Sequence, residues 1–368
     1  MEDKGELLGD VLVLACGGTI GQREVDGRMV VVVPASDLLA PVLAHASMSA
    51  LWTPADSAEP AGDGATSTGG GPPMVDVLSV VARSGVYMGW DGLLALRDAV
   101  VTHCRHYRAF LVICGTDSME EVAFALELLI DPAADSLGRP VVVTGAMKPH
   151  DVLGYDGHAN LRDALAVCLD PHARGLGTLV VMNDAIHAAR YVQKLDSQLI
   201  GSFSSLPAGP LGQIRNGRPL LYHRALPPFP HRPVAVAAAS KEQKPWRLRD
   251  RVLVWPITLG CGDFLIPDHL LRTLDGLVLS GMGTGTIPDS YIEHLSPEWT
   301  SKLAIVIVSR CPLGQNYDDF YYRGSLRKYT DRGFLVTGYE DLNPLQARLK
   351  LIVALSLSSI TTTGPASA

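Results

Sequence analysis

Two threonines in this chain follow short aliphatic runs and stand directly after glycine. Thr19 comes after "VLVLACGG" and Thr116 after "FLVICG", so the two stretches are nearly the same phrase. Glycine lets the backbone turn sharply and approach a ligand, and it leaves N–H groups free to hold negative charge. A hydroxyl beside such a loop is placed to attack a carbonyl whose oxygen those amides stabilise. The residues therefore predict nucleophilic attack on a carbonyl.

An unactivated threonine is a poor nucleophile, so a neighbouring group must take its proton. Lys194 in "ARYVQKLDS" is the candidate base, because a desolvated lysine can lose its charge. The structural alternative is that Thr116 and Asp117 only cap the next helix and that Lys194 is a solvated surface charge. His187 in "NDAIHAAR" is interpreted as a structural residue.

The elements that must position these residues are short aliphatic runs with helical patterns between them. Runs rich in valine and leucine, without alternation, are typical of strands buried on both faces in a parallel sheet. The order of elements predicts an α/β fold: a doubly wound, mainly parallel sheet in a larger N-terminal domain, and a smaller α/β C-terminal domain. Ligands of such sheets bind at the carboxyl ends of the strands. The runs begin at Val11, Phe110, Val141, Leu179, Gly276 and Ala304.

Two helices have clear start signals. After "ICGT", the residues Asp117, Ser118, Glu120 and Glu121 predict overlapping capping boxes at the start of a helix. The last helix is predicted to begin with Asn343 as its cap and Pro344 as its first residue. Its buried face is predicted to consist of Leu345, Leu349, Ile352 and Leu355.

The 368 residues are too many for one ordinary core and fit two domains. The polar stretch at residues 53–74 has no aliphatic periodicity and predicts a surface insertion. Residues 227–251 mix proline with charge and predict the linker. The expected domains are therefore residues 1–226, which carry the catalytic residues, and residues 252–368.

The formal charge of −7, without a dense basic block, gives no footprint for nucleic acid or anionic lipid. A small-molecule substrate is favoured, with no nucleic-acid or membrane partner. The acidic, polar start "MEDKGELLGD" is unlike a secretory signal, which predicts a cytoplasmic protein. Its six scattered cysteines are expected to be reduced. The histidines of "HCRH" at residues 103–106 have no second pair nearby, so no metal site is expected.

Seven blocks, in this order, resemble the signature blocks of the bacterial-type L-asparaginases. The resemblance runs from about Val11 to Leu355 and is specific, because several independent blocks match in family order. The blocks are "CGGTIG", "CGTDSMEE", "VTGAMKP", "YDGHANLRDAL", "LVVMNDAIHAARYVQK", "GPLGQI" and, in the final helix, "DLNPLQARLKLIVAL".

The resemblance implies a role for each matching residue. Thr19 matches the first nucleophilic threonine, Thr116 and Asp117 match the second threonine and its aspartate, and Lys194 matches their lysine. Asp117 would also bind the substrate's α-ammonium. The remaining substrate-binding candidates are Gly18, Ser84, Gly115 and Ala146, whose backbone carbonyl would accept the leaving carboxamide NH₂.

The same resemblance implies an amidohydrolase that forms homotetramers, as dimers of dimers, and uses no metal or cofactor. Its expected reaction is hydrolysis of L-asparagine through an acyl-enzyme on threonine, with L-glutamine as the alternative substrate. One methylene separates the two amides and is worth only about 1–3 kcal/mol.

The chain departs from the family pattern at the loop after Thr19. The family carries a lid tyrosine there, and this sequence has Arg28 or Met29 at the corresponding place. Neither side chain can replace a phenol in proton transfer at neutral pH. Tyr87 and Tyr321 are candidate replacements, and Asp318 and Asp319 are candidates for the acidic residue that the partner subunit contributes.

Smaller departures are Cys16 and Cys114, where the family usually has threonine and histidine. The departures leave a second hypothesis: a catalytically impaired protein that keeps the asparaginase fold and binds amino acids. A third, a nucleotide-binding protein, has little support because "GGTIGQ" lacks the G-x-G-x-x-G spacing.

Overall fold

The computed structural model describes residues 7–45, 48, 73–81, 87–131, 136–223 and 248–361. The chain divides into two compact units, Met1–Pro227 and Pro228–Ala368. Most of the expected insertion and of the expected linker lies outside the described residues, so those boundaries stay predictions. Within the described part, no helix is both long enough and apolar enough to cross a membrane.

In the first unit, strands and helices alternate from α1 to β7, and the described elements after β7 are strands. Its elements are β1 (Gly9–Ala15), β2 (Gln22–Val25), β3 (Arg28–Val31), α1 (Ala35–Ala44), β4 (Val75–Ser79), α2 (Trp90–His103), β5 (Tyr107–Ile113), α3 (Met119–Leu129), β6 (Val141–Thr144), α4 (Gly157–Leu169), β7 (Thr178–Met182), β8 (Ala185–Ala188), β9 (Gln193–Lys194), β10 (Phe203–Ser204), β11 (Gly212–Arg215) and β12 (Arg218–Leu221).

Eight strands form the large sheet, in the order β12-β11-β8-β7-β6-β5-β1-β4. The five strands β4, β1, β5, β6 and β7 are parallel to their neighbours. Both faces are covered: alternate residues such as Val11 and Val13 pack with helices α1 and α4, while the residues between them, such as Leu12 and Leu14, are also buried. The unalternated aliphatic runs have this cause, since both sides of each strand leave water.

The other end of the sheet is antiparallel. After β7 the chain turns back at Asn183 and Asp184, both with positive φ, and β8, β11 and β12 continue the sheet with alternating direction. A separate two-stranded pair, β9 with β10, joins Lys194 to Phe203. The sequence pattern indicates none of these short strands, because their hydrophobic runs are too brief.

A small hairpin follows the Thr19 loop. Strands β2 and β3 pair in antiparallel fashion around Asp26 and Gly27, whose φ angles are +52° and +73°. Asp-Gly is the pair that favours a two-residue turn with both central residues left-handed. The hairpin therefore takes the place where the family resemblance implies a lid.

The second unit has a three-stranded parallel sheet in the order β13-β14-β15. Side chains of this sheet and of the helices form a buried core, which includes Ile257, Leu277, Leu279, Ile305 and Ile307. The elements are β13 (Val252–Pro256), α5 (Asp268–Leu271), β14 (Gly276–Gly281), α6 (Asp289–Leu295), β15 (Ala304–Ser309), α7 (Ser325–Thr330) and α8 (Pro344–Thr361).

The cap of α8 forms as the sequence predicts. Asn343 Oδ1 accepts the backbone N–H of Gln346 at 2.9 Å, and Gln346 Oε1 accepts the backbone N–H of Asn343 at 3.2 Å. The predicted buried face is only half right. Leu349 and Ile352 are buried, whereas Leu345 is 38% exposed because the buried side of the first turn carries Gln346 and Ala347 instead. Leu355 is half-buried.

The Ser118 side chain does not cap α3 as predicted. The helix starts where expected, at Met119, but Ser118 makes no side-chain capping hydrogen bond. Asp117 and Glu120 bind Lys194 instead. Lys194, from a distant segment, thus engages both carboxylates that the local pattern assigned to the helix N-terminus: its ammonium binds Asp117 and its backbone N–H binds Glu120.

Candidate functional site

The loops that carry the two threonines touch each other. Strands β1 and β5 are parallel neighbours, and their last residues, Ala15 and Ile113, are directly paired. Beyond them the backbone of Gly18 lies against that of Gly115: a Cβ on Gly18 would stand 2.6 Å from the Gly115 nitrogen. Gly18 also has a φ of +101°, which L side chains rarely adopt. Glycine at residue 18 therefore permits the close approach of the two loops.

Thr19 opens a single 3-10 turn, Thr19–Gly21. The Gly21 N–H donates to the Gly18 carbonyl at 3.2 Å, and the next residue, Gln22, donates to the Thr19 carbonyl. Thr19 itself is half-exposed. Among the described residues its hydroxyl has no hydrogen-bond partner, so it is open to a ligand.

Thr116, in contrast, is buried and held by a cation. It is 4% exposed, and Lys194 Nζ donates to its Oγ1 at 3.0 Å. The same Nζ donates to Asp117 Oδ1 at 2.7 Å. A lysine 77 residues away in the sequence thus joins both side chains of the second block, which is the association that the resemblance implies.

Glu120 fixes the backbone of that lysine. The Lys194 N–H donates to Glu120 Oε2 at 2.6 Å, so the first turn of α3 anchors the strand β9. Burial raises the pKa of Glu120, against the opposing effect of the hydrogen bond from Lys194. Glu120 is partly buried and lies one turn from Asp117. The sequence pattern indicates only a helix cap for this residue. The "TDSMEE" spacing was the available signal.

The two side chains of the Lys194–Asp117 ion pair differ in their exposure to solvent. The Asp117 side chain is 70% exposed and that of Lys194 only 13%. The carboxylate is therefore accessible to a ligand cation such as an α-ammonium, while the amine is sheltered.

A third loop, residues 145–148, adjoins the second threonine. A Cβ on Gly145 would lie 2.5 Å from the Cys114 carbonyl oxygen, so this loop also packs backbone to backbone. Asn160 holds it by donating to the Gly145 carbonyl at 3.0 Å. Ala146 is buried beside this contact, at 1% exposure.

Asp156 and Asn160 form the frame of this loop. Asp156 accepts the N–H groups of Met147 and Lys148 at 2.9 and 3.0 Å, and Asn160 Oδ1 accepts that of Asn183 at 3.0 Å. These residues come from the block "YDGHANLRDAL". The block matches the family pattern, but its sequence indicates no role for Asp156 or Asn160, because their hydrogen bonds reach residues 8 to 23 positions away.

A pocket of about 190 Å³ lies on the β4 side of the Thr19 turn. Its walls come from Gly17, Ile20 and Gly21, from residues 31–35 after the hairpin, and from Ser79 and Val81 at the end of β4. It is mainly apolar and does not include Thr116 or Lys194. The predicted carboxylate-binding residue Ser84 lies outside the described residues, just past Val81.

The candidates for the missing phenol are exposed, and the candidate acids are engaged within their own loop. Arg28 and Met29 are exposed on the hairpin, Tyr87 is 69% exposed, and Tyr321, in the second unit, is 80% exposed. Asp318 and Asp319 accept backbone N–H groups of their own loop. Their predicted roles stay predictions.

The two cysteines at the strand ends are unreactive positions. Burial raises the pKa of Cys16 to about 12, and burial together with Cys16 raises the pKa of Cys114. A thiol reacts as its thiolate, so neither is a nucleophile near neutral pH. Neither thiol therefore competes with the threonine hydroxyls of these loops as a nucleophile.

None of the three histidines considered in the sequence, His103, His106 and His187, has a described hydrogen bond to Thr19, Thr116 or Lys194. His187 is buried, hydrogen-bonded to Ser205 Oγ at 2.8 Å, and burial lowers its pKa to about 4. His103 and His106 stack edge to face, with ring centres 6.3 Å apart. In the ranges that the structure describes, no group of three or more His, Cys, Asp or Glu could hold a metal ion.

Comparison with family models gives two matches that together cover most of the chain. Residues 10–227 match the model described as "Asparaginase, N-terminal", and residues 251–362 match the "Glutaminase/Asparaginase C-terminal domain". The first match alone takes in both threonine loops and Lys194.

Individual relatives agree. The chain is 29% identical over 284 residues to the L-asparaginase of Bacillus licheniformis, covering 77% of this chain and 82% of the relative. It is 33% identical over 252 residues to the probable L-asparaginase of Deinococcus radiodurans, covering 68% and 72%. The crystal structure of a probable cytoplasmic L-asparaginase from Campylobacter jejuni superposes with a TM-score of 0.72 at 24% identity, over 97% and 96% of the two chains. The predicted α/β fold is thereby confirmed.

Proposed function

The chain belongs to the asparaginase family of hydrolases, and from this membership we propose that it hydrolyses L-asparagine to L-aspartate and ammonia. The observation that carries the proposal is the position of Lys194. Its Nζ bonds both Thr116 and Asp117, in a loop whose backbone touches that of the Thr19 loop. A protein that only kept the fold would have no need of a charged arrangement in which a sheltered lysine joins a buried threonine to an exposed carboxylate.

In the proposed reaction Thr19 is the nucleophile. It is half-exposed and its hydroxyl is open among the described residues, whereas Thr116 is buried under Lys194. Thr19 Oγ1 attacks the side-chain carboxamide carbon, its proton passes to the leaving nitrogen, and the C–N bond breaks to release ammonia. Water then cleaves the acyl ester and restores the hydroxyl.

Thr116, Asp117 and Lys194 support the reaction from the second loop. Asp117 binds the α-ammonium of the substrate through its exposed carboxylate. Lys194 and Thr116 relay the proton of Thr19 to the leaving group through the hydrogen bond that joins them. The N–H groups near Gly18 and Gly115 are available to the developing oxyanion, and the carbonyl of Ala146 to the leaving NH₂.

Ammonia release from L-asparagine by the purified chain tests the proposal. We expect Thr19→Ala and Thr116→Val each to lower kcat by at least about 10³-fold, as loss of a nucleophile or of its proton relay does. Steady turnover that survives one of these substitutions removes that threonine from the mechanism. Running L-glutamine in parallel measures the preference between the two amides.

A second candidate is supported by the hairpin, which presents Arg28 and Met29 where the family has a lid tyrosine. It is an amino-acid-binding protein without turnover. Calorimetry separates the two: binding heat with L-aspartate and no ammonia from L-asparagine favours the second candidate. Absence of both heat and ammonia contradicts both.

We also propose, from the family, a cytoplasmic homotetramer arranged as a dimer of dimers. Sedimentation equilibrium should then give four times the 39.3 kDa of one chain. A monomer at micromolar concentration would contradict this assembly.

A further inference from the structure

Tyr155 connects the Thr19 turn to the loop that carries Ala146. Its hydroxyl donates to the Ile20 carbonyl at 2.9 Å, 135 residues away in the sequence. The next residue, Asp156, accepts the N–H groups of Met147 and Lys148. One dipeptide therefore ties together two loops that converge on the site.

The acceptor is a buried group. Ile20 is 1% exposed, so its carbonyl needs a donor inside the protein, and an unmade hydrogen bond there is costly. Ile20 follows Thr19 directly, within the same single turn. A shift of the Ile20 carbonyl is thus transmitted to the Thr19 hydroxyl through one peptide unit.

The phenol is itself fixed. The rings of His150 and His158 each lie 5.0 Å from that of Tyr155, tilted or edge to face. Gly157 leaves the space for the hydroxyl, because a Cβ there would clash with it. Burial raises the pKa of Tyr155, so the group stays protonated and remains a donor at neutral pH.

We propose that Tyr155 is a positioning residue for Thr19: through the Ile20 carbonyl it holds the turn in which the nucleophile stands. The inference rests on the proposed function for its effect on rate, and on the structure alone for its effect on the turn. No match to the lid tyrosine is involved, since Tyr155 lies on a different loop and acts through the backbone.

The test compares Tyr155→Phe with Tyr107→Phe. Tyr107 is a matched control: its hydroxyl donates to Asp76 Oδ2 at 2.8 Å, at the start of β5, the end opposite to Thr116. Each variant loses one phenol hydrogen bond and keeps its ring. We expect Tyr155→Phe to lower kcat for L-asparagine about 10-fold with KM nearly unchanged, because a slight misplacement of a reacting group costs rate rather than binding.

A readout independent of turnover is hydrogen exchange at the amides of Gly21 and Gln22, which close the turn. Exchange there should be about 10-fold faster in Tyr155→Phe, as for a local opening made easier by one lost bond. In Tyr107→Phe both kcat and this exchange should equal those of the parent chain. Gly157→Ala, which displaces the hydroxyl while Tyr155 is kept, should repeat the Tyr155→Phe result.

Unchanged exchange at Gly21 and Gln22 in Tyr155→Phe overturns the inference, whatever happens to the rate. A rise in KM equal to the fall in kcat also overturns it, because the hydroxyl would then contact substrate. A parent chain without asparaginase activity contradicts the proposed function instead, and the exchange result still decides whether Tyr155 holds the turn.

Discussion

The Thr19 turn (residues 19–21) and the Thr116–Lys194 cluster (Thr116, Asp117, Glu120 and Lys194) both follow parallel strands, yet they are held in different ways. The turn is fixed by backbone contacts: Gly18 against Gly115, and the Ile20 carbonyl under Tyr155. The cluster is fixed by side chains around one lysine: Thr116 and Asp117 accept from its ammonium group, and Glu120 accepts from its backbone N–H.

The difference follows from what each threonine must do in the proposed reaction. A nucleophile must be open to substrate and accurately placed, which backbone packing achieves without covering the hydroxyl. A proton relay must be in permanent contact with a titratable group, which requires side-chain hydrogen bonds. The burial of the two threonines, half-exposed for Thr19 and 4% exposed for Thr116, agrees with this division.

Among the substitutions that separate the two regions, the largest effect is expected from Lys194→Met, which leaves the Thr19 turn intact and removes the cation of the cluster. Loss of a positioned acid or base lowers rates by about 10²–10⁴-fold, and kcat for L-asparagine should fall by that much. The control is Lys302→Met, which removes an exposed ion pair with Glu298 and a cation–π contact with the Trp299 ring, and should leave kcat unchanged. Near-normal turnover in Lys194→Met would mean that the cluster is structural.

Gly18→Ala attacks the contact between the two regions. A Cβ at residue 18 would lie 2.6–2.8 Å from backbone atoms of Gly115 and Cys114, which cannot move aside as a side chain would. Separating the loops by a fraction of an ångström should lower kcat about 10²-fold. The expected loss of unfolding free energy is about 1–3 kcal/mol, from overpacking.

Gly27→Ala is the matched control for this substitution. Gly27 has a φ of +73° and no atom within 4 Å of the position that a Cβ would take, so it also has a positive φ and lacks the clash. Its stability should fall only by the cost of a left-handed alanine, about 1 kcal/mol, measured by urea denaturation. Equal effects of the two substitutions would show that backbone strain, not loop contact, matters at Gly18.

The smallest effect on rate is expected at Glu120, which separates anchoring from charge within the cluster. Glu120→Gln keeps an acceptor for the Lys194 N–H, so kcat should change little. Glu120→Ala leaves that N–H without its acceptor and should cost about 1–3 kcal/mol of unfolding free energy. A large loss of kcat in Glu120→Gln would move the residue into the proton relay.

The pH dependence of stability gives the sign of the Glu120 charge effect. Burial raises the pKa of Glu120 above its ordinary 4.5, so the folded chain binds this proton more tightly than the unfolded chain. Its favourable contribution is complete below pH 4.5 and is lost as the pH rises through the folded value. Relative to the parent chain, Glu120→Gln should therefore gain unfolding free energy as the pH is raised from about 4 to neutrality, and a flat difference would contradict the burial of charge.

Much of the fold could be predicted from local pattern. Long runs such as the one at Val11 must be strands covered on both faces, and Asn343 with Pro344 fixes the start of the last helix. The antiparallel strands after Met182 could not be predicted, because strands of two to four residues have no resolvable period. The capping role predicted for Asp117 and Glu120 at α3 was wrong, because both carboxylates accept hydrogen bonds from Lys194.

The sequence by itself determined the parallel sheet, the glycines beside each threonine and the family to which the blocks belong, since each of these is written in residues close together along the chain. Only the tertiary structure decided that Gly18 packs on Gly115, that one ammonium joins Thr116 to Asp117, and that Tyr155 holds the Ile20 carbonyl. These contacts join residues about 75 to 135 positions apart. Their geometry depends on strand order and on loop packing, which no local pattern encodes.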